Sequence, residues 1–152
     1  DVHRVAEGRR LVLGGVEIAW DKGLLGHSDA DVVLHALCDA LLGASGMGDI
    51  GELFPDTDER YRGADSRVFV PEVLRRVHER GYGVVNADLT ILAEAPRLSP
   101  YKNAIRASIA GLLGVDPGDV GVKAGTNEGL DAIGRGEAIA CMAIVLLRKM
   151  AT

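Results

Sequence analysis

Asp1 and His3 stand two residues apart, and His35 follows inside a run patterned like a helix. In an extended strand, side chains at i and i+2 point to the same face. Asp1 and His3 would therefore present a carboxylate and an imidazole side by side, and His35 could add a second imidazole. Three protein ligands with a fourth position open is the arrangement of a catalytic zinc, whereas structural zinc closes all four positions, mostly with cysteine. Spacing alone leaves a solvated or core-satisfied histidine as the plainer alternative.

The segment that must place His35 is the richest of the chain. Val33, Leu34, Ala36, Leu37, Ala40 and Leu41 recur at helical spacing and predict a helix over Asp31–Leu42, with Ser28 or Asp29 as N-cap and Gly43 as the stop. Asp31, His35 and Asp39 are four apart and would share one face, so either carboxylate could orient the imidazole. His27 and Ser28 sit where this helix begins, and backbone N–H groups there favour an anion. The stretch from Gly43 to Gly63 is dense in glycine and acid and reads as a functional loop.

Other elements follow from period and punctuation. Leu11–Leu13 and Val16–Ile18 around Gly14-Gly15 predict a hairpin. Ser66 caps a predicted helix that runs to Arg80 and is ended by Gly81. Residues 83–94 alternate as a strand with Val85, Ala87, Leu89 and Ile91 on one face. Pro100 opens a helix to Leu113 with Gly114 behind it. Residues 120–124 and 137–148 read as strands, the last too apolar for a wet face. The expected architecture is α+β, a small mixed or antiparallel sheet with helices on one face. At 152 residues the chain is expected to form a single domain.

Composition narrows the classes. A net charge of −5 disfavours a nucleic-acid surface, which is normally basic. No run reaches the roughly 18 apolar residues of a membrane span, and no signal peptide is expected. Cys38 and Cys141 both lie in apolar runs and read as buried free thiols, which suits a reducing cytoplasm.

The chain resembles the 2-C-methyl-D-erythritol 2,4-cyclodiphosphate synthase family. The resemblance is carried by Asp1-Val-His3, Leu13-Gly-Gly-Val16, His27-Ser-Asp-Ala-Asp31 with His35, Asp39-Ala-Leu-Leu-Gly43, Gly48-Asp-Ile-Gly51, Phe54-Pro-Asp-Thr-Asp58, Gly63-Ala-Asp-Ser66, Ala95-Pro96 and Gly134-Arg-Gly-Glu137. It implies a homotrimer whose sheets face the three-fold axis, with active sites between subunits. It also implies that a short strand precedes Asp1, so that a few N-terminal residues are missing here; an upstream fused domain is an open alternative.

The substrate implied is 4-diphosphocytidyl-2-C-methyl-D-erythritol 2-phosphate, whose 2-phosphate attacks its own β-phosphorus and releases CMP. By resemblance, Asp1, His3 and His35 hold Zn²⁺ or another divalent cation, and Glu128 holds Mg²⁺ or Mn²⁺ across the diphosphate. His27 and Ser28 match a loop over the erythritol and phosphate end, with His27 stabilising the transition state. Asp49 and Gly51 match positions that hold sugar hydroxyls, and Phe54, Pro55, Asp56, Thr57 and Asp58 match the loop around the erythritol. Ala93, Pro96, Arg97 and Leu98 match the cytidine segment of the neighbouring subunit, with Arg97 where lysine is common and Ser99-Pro100-Tyr101 where Pro-His is usual. Thr126 matches an α-phosphate contact and Arg135 a phosphate-facing arginine. Gly125 and Asn127 replace threonines, and Leu130-Asp-Ala132 replaces Leu-Gly-Phe, which removes an aromatic contact at Ala132. Two other classes remain open: a zinc-dependent phosphohydrolase using bound hydroxide, and a non-catalytic nucleotide-binding module.

Overall fold

The computed structural model describes all 152 residues. In chain order the elements are β1 (Val2–Glu7), β2 (Leu11–Leu13), β3 (Val16–Ile18), β4 (Lys22–Leu24), α1 (Val32–Ala44), α2 (Ile50–Leu53), α3 (Phe69–Glu79), β5 (Tyr82–Leu92), α4 (Lys102–Leu113), β6 (Val120–Gly125), α5 (Asp131–Gly134) and β7 (Ala138–Lys149). Five strands form one sheet in the order β4-β1-β7-β5-β6, while β2 and β3 pair as a separate hairpin. The β5–β6 pair is parallel and the other sheet neighbours are antiparallel, so the sheet is mixed. This is the expected α+β arrangement.

Helices cover one face. α1 packs over β7 and β5, and α4 over β6. Leu34, Leu37 and Leu41 from α1 meet Leu89 and Ile91 of β5, Ile105 and Ile109 of α4, and Cys141 of β7 in one continuous aliphatic core. Both cysteines are free and buried, as expected. β7 alternates: Ile139 and Cys141 are sealed, whereas Met142, Ile144 and Leu146 on the opposite face are 63, 74 and 54% exposed. In the chain alone, a row of apolar side chains on this second face therefore meets solvent.

Three local expectations are corrected. The N-cap of α1 is Asp31, whose side chain accepts from the N–H groups of Val33 and Leu34; Ser28 and Asp29 lie upstream. Gly43 lies inside α1, which runs on to Ala44. The helix expected from Ser66 begins as a single 3₁₀ turn capped by Asp65, and α3 starts at Phe69. Ser99–Tyr101 likewise make a 3₁₀ turn before α4, whose C-terminus closes on Gly114 at φ 69°, as the glycine signal predicts. The segment from Gly43 to Gly63 also holds the short helix α2.

Candidate metal centre and substrate pocket

β1 places Asp1 and His3 on one face, and the first turn of α1 carries His35 to meet them. His3 Nε2 lies 2.9 Å from Asp1 Oδ2 and 3.1 Å from His35 Nδ1, and His35 Nδ1 is 3.4 Å from Asp1 Oδ2. These three atoms lie within 4.8 Å of one another, a group able to hold a metal ion. Burial pushes both imidazoles below the ordinary value of 6.5, with a backbone hydrogen bond at Leu25 opposing this for His3 and the charge of His3 adding to it for His35. Both rings are then neutral at pH 7, which is the form that ligates metal. Two neutral imidazoles and one carboxylate suit zinc or a similar divalent ion.

Asp31 and Asp39 do not orient His35. The fully buried carboxylate of Asp31 accepts from the Gly14 N–H at 2.9 Å and the Gly15 N–H at 2.7 Å, besides capping α1. Burial pushes it up to about 6, against these backbone bonds, so it is ionised at pH 7. Gly14 is at φ 63°, and a Cβ there would lie 2.7 Å from the side chain of Ile105, so the hairpin turn needs glycine to approach. Asp39 accepts from the Ile50 N–H at 2.7 Å and holds α2 against α1. On this helix face His35 alone turns to the metal group, while Asp31 and Asp39 serve as backbone clamps. Two N–H groups at the start of α1, those of Val33 and Leu34, are likewise taken by Asp31.

The ring nitrogen of His35 that faces away from Asp1 has two hydroxyl neighbours. Nε2 is 2.9 Å from Ser66 Oγ and 3.2 Å from Ser28 Oγ. Ser66 reads in sequence as a helix cap, and its distance of 31 residues from His35 hides the contact.

An open pocket of ≈ 520 Å³ spreads from the triad and is lined by His27, Ser28, Gly51, Phe54, Pro55, Asp56 and Thr57. His27 Nε2 bonds the Asp58 carbonyl oxygen at 2.9 Å, which ties the two expected loops together. Phe54 stacks on Phe69 at 4.5 Å, and Tyr61 meets both rings edge-on, forming an apolar wall. Tyr61 and Phe69 escape sequence reasoning because aromatic side chains in a helix or loop look like core. Asp49 caps α2 through the Glu52 N–H, and Asp58 pairs with Arg60; neither side chain lines this pocket.

The remaining candidates gather elsewhere. Ala93, Pro96, Arg97, Leu98, Gly125 and Thr126 line a second pocket of ≈ 210 Å³, which shares no residue with the first. Asn127 donates to Asp131 Oδ2 at 2.9 Å, so two residues that depart from the family pattern bond to each other. Glu128 is exposed at φ 56°, and its N–H donates to Thr126 Oγ1. Ala132 lies in a hollow of ≈ 220 Å³ with Val2, His3 and Arg4, and Arg135 is paired with Glu137.

Fold and site together define a class: a mixed-sheet α+β protein with an Asp/His/His group able to hold a metal ion at the edge of an open pocket. The chain belongs to the YgbB family, whose profile matches residues 1–148. It is 56% identical over 147 residues (97% of this chain, 88% of the relative) to a protein of Desulfosudis oleivorans named 2-C-methyl-D-erythritol 2,4-cyclodiphosphate synthase. It is 57% identical over 149 residues (98% and 92%) to one of the same name from Laribacter hongkongensis. A solved structure of a 2C-methyl-D-erythritol-2,4-cyclodiphosphate synthase, described as a CDP-bound form, superimposes with TM-score 0.90 at 43% identity, covering 97% of this chain and 96% of that one. The bifunctional IspDF of Campylobacter jejuni gives TM-score 0.95 at 43% identity; the match covers 99% of this chain and 41% of that longer one.

Proposed function

We propose that the chain converts 4-diphosphocytidyl-2-C-methyl-D-erythritol 2-phosphate to 2-C-methyl-D-erythritol 2,4-cyclodiphosphate and CMP, as a phosphorus–oxygen lyase of isoprenoid precursor synthesis. An oxygen of the 2-phosphate bonds to the β-phosphorus, the bond from that phosphorus to the oxygen bridging to the α-phosphate breaks, and CMP leaves with the α-phosphate. No water enters. The nucleophile is already anionic, so the chain's task is positioning and charge stabilisation rather than proton removal. Orientation of an intramolecular reaction contributes on the order of 7–11 kcal/mol. General acid–base help of 10²–10⁴-fold contributes only about 3–6 kcal/mol.

The observation that carries this reading is the convergence of Asp1, His3 and His35 at the edge of the pocket holding His27, Ser28, Gly51 and residues 54–57. When bound, Zn²⁺ at this triad supplies a Lewis acid to the diphosphate, and Mg²⁺ or Mn²⁺ at Glu128 neutralises its charge. His27 and Ser28 hold the phosphate end, and Gly51 and residues 54–57 with the wall of Phe54, Tyr61 and Phe69 exclude water from the erythritol. Ala93, Pro96, Arg97 and Leu98 receive the cytidine, and Thr126 bonds the α-phosphate.

One substrate needs both pockets, which are separate within one chain. We therefore assign the active unit to a homotrimer in which the first pocket of one subunit meets the second pocket of its neighbour. The exposed row Met142, Ile144 and Leu146 supports this, because a closed ring would cover it. No helix of the chain is long and apolar enough to cross a membrane, and free buried thiols suit work in the cytoplasm. The test is incubation with the cytidine-linked substrate followed by ³¹P NMR. The expected products are the cyclic diphosphate and CMP; a linear phosphate product would overturn the reading in favour of hydrolysis.

A further inference from the structure

We infer that Asp29 and Ser66 form a positioning relay that fixes the metal-facing nitrogen of His35. The inference rests on the metal reading above and extends it to residues behind the ligands.

His35 turns Nδ1 toward Asp1 and His3. For Nδ1 to offer a lone pair to a metal, the ring proton must sit on Nε2. Ser66 Oγ lies 2.9 Å from Nε2. Its own hydroxyl hydrogen is directed elsewhere, because Ser66 Oγ donates to Asp29 Oδ1 in a short hydrogen bond. A hydroxyl has one hydrogen; with that hydrogen on Asp29, the oxygen faces His35 as an acceptor. Nε2–H then donates to Ser66, and Nδ1 is left bare toward the pocket.

The relay is held from both sides. Ser66 is fully buried. The Ser66 N–H donates to Asp29 Oδ2 at 3.1 Å, and the Asp31 N–H to Asp29 Oδ1 at 3.1 Å. Backbone bonds from Asp29 N–H to the Ala64 oxygen and from Gly63 N–H to the His27 oxygen zip the two loops together. Asp29 forms no ion pair with any lysine or arginine. Its carboxylate is used on these three donors, which is the pattern of an orienting anion behind a metal-bound histidine. Ser28 Oγ at 3.2 Å from Nε2 is the weaker neighbour, because it also accepts from the Ala30 N–H.

The test is Zn²⁺ affinity of the purified full chain, measured by competition with a chromophoric chelator, with thermal melting and circular dichroism recorded beside it. Ser66→Ala and Asp29→Asn should each weaken Zn²⁺ binding by about 10–100-fold. Ser66→Thr, which keeps the hydroxyl, should restore most of it. The double variant Ser66→Ala/Asp29→Asn should bind Zn²⁺ no worse than Ser66→Ala, because Asp29 acts through Ser66. Wild-type affinity in folded Ser66→Ala overturns the relay while leaving the metal site intact. Should Ser66→Ala not fold, wild-type affinity in Asp29→Asn overturns it equally. A wild-type chain that binds no Zn²⁺ overturns the metal reading itself, and the relay with it.

Discussion

Around His35 the polar atoms are all engaged: two ring nitrogens, two serine hydroxyls and the Asp29 carboxylate bond to one another inside the fold. Around Arg97 and Thr126 the side chains face solvent, and Arg97 makes no hydrogen bond or ion pair within the chain. Of the departures from the family pattern, Gly125 lines the second region and Asn127 follows Thr126, whereas Ala132 shares a hollow with His3 of the first. The contrast teaches where order comes from. The first pocket is assembled by the chain's own packing, so its geometry exists before any ligand arrives. The second presents groups outward, where substrate and, in the proposed trimer, a neighbouring subunit would supply the partners.

The comparison breaks first at its most ordered point. His35→Ala should abolish metal binding while the core of α1 keeps it folded. Activity should fall by about 10³-fold or more, since Lewis-acid stabilisation worth several kcal/mol is lost. Zinc content by atomic absorption together with a melting curve checks this. His27→Ala and Thr126→Ala act one on each pocket. Each should lower kcat by about 10²–10³-fold with little change in KM, if both donors stabilise charge that appears only in the transition state. Steady-state kinetics on the two variants checks whether the halves act on one reaction.

Ile144→Asp sharpens the comparison from the other side of the sheet. Ile144 is exposed in the chain alone, so a carboxylate there costs a monomer little. At a covered subunit interface an unpaired charge costs several kcal/mol. Light scattering should therefore show dissociation with secondary structure retained. Acidification should affect the first pocket selectively. Burial holds the pKa values of His3 and His35 below 6.5, so Zn²⁺ affinity should stay level down to about that pH and fall beneath it as protons compete for the rings. The sign for metal-free stability is the same: below 6.5 the unfolded chain binds more protons, so stability declines as pH drops through that window. Zinc titrations and melts across pH 5–8 measure both effects. The smallest effect is expected for Arg97→Ala, a rise in KM of about tenfold from loss of one charge-assisted hydrogen bond, with kcat kept.

What could be read in advance depended on how local the cause was. The Asp1/His3 pairing follows from strand period, the β2–β3 hairpin from Gly14-Gly15, and the end of α4 from Gly114, each set within a few residues. The role of Asp31 was hidden because its decisive donors, Gly14 and Gly15, are 17 and 16 residues away. Ser66 was read as a cap because hydroxyls near helix starts commonly are; only the packing of the 63–66 loop against residues 27–29 turns it toward His35. The bond between Asn127 and Asp131 was likewise invisible as two separate departures from a pattern. The helix face of Asp31, His35 and Asp39 is correctly placed and His35 does join Asp1 and His3, but Asp31 and Asp39 bond backbone groups instead of the imidazole, since periodicity gives direction and not partner.

The central claim is that one reaction centre is made from the first pocket of one subunit and the second pocket of the next. It is tested most directly by mixing His35→Ala with Thr126→Ala after dissociation and reassembly. Each variant alone is impaired in a different half. In randomly mixed trimers with one site per interface, about a quarter of sites pair an intact first pocket with an intact second one. The account predicts that the equimolar mixture recovers roughly that share of wild-type turnover. A mixture no more active than its two components, with mixed trimers demonstrated by mass spectrometry, would contradict it.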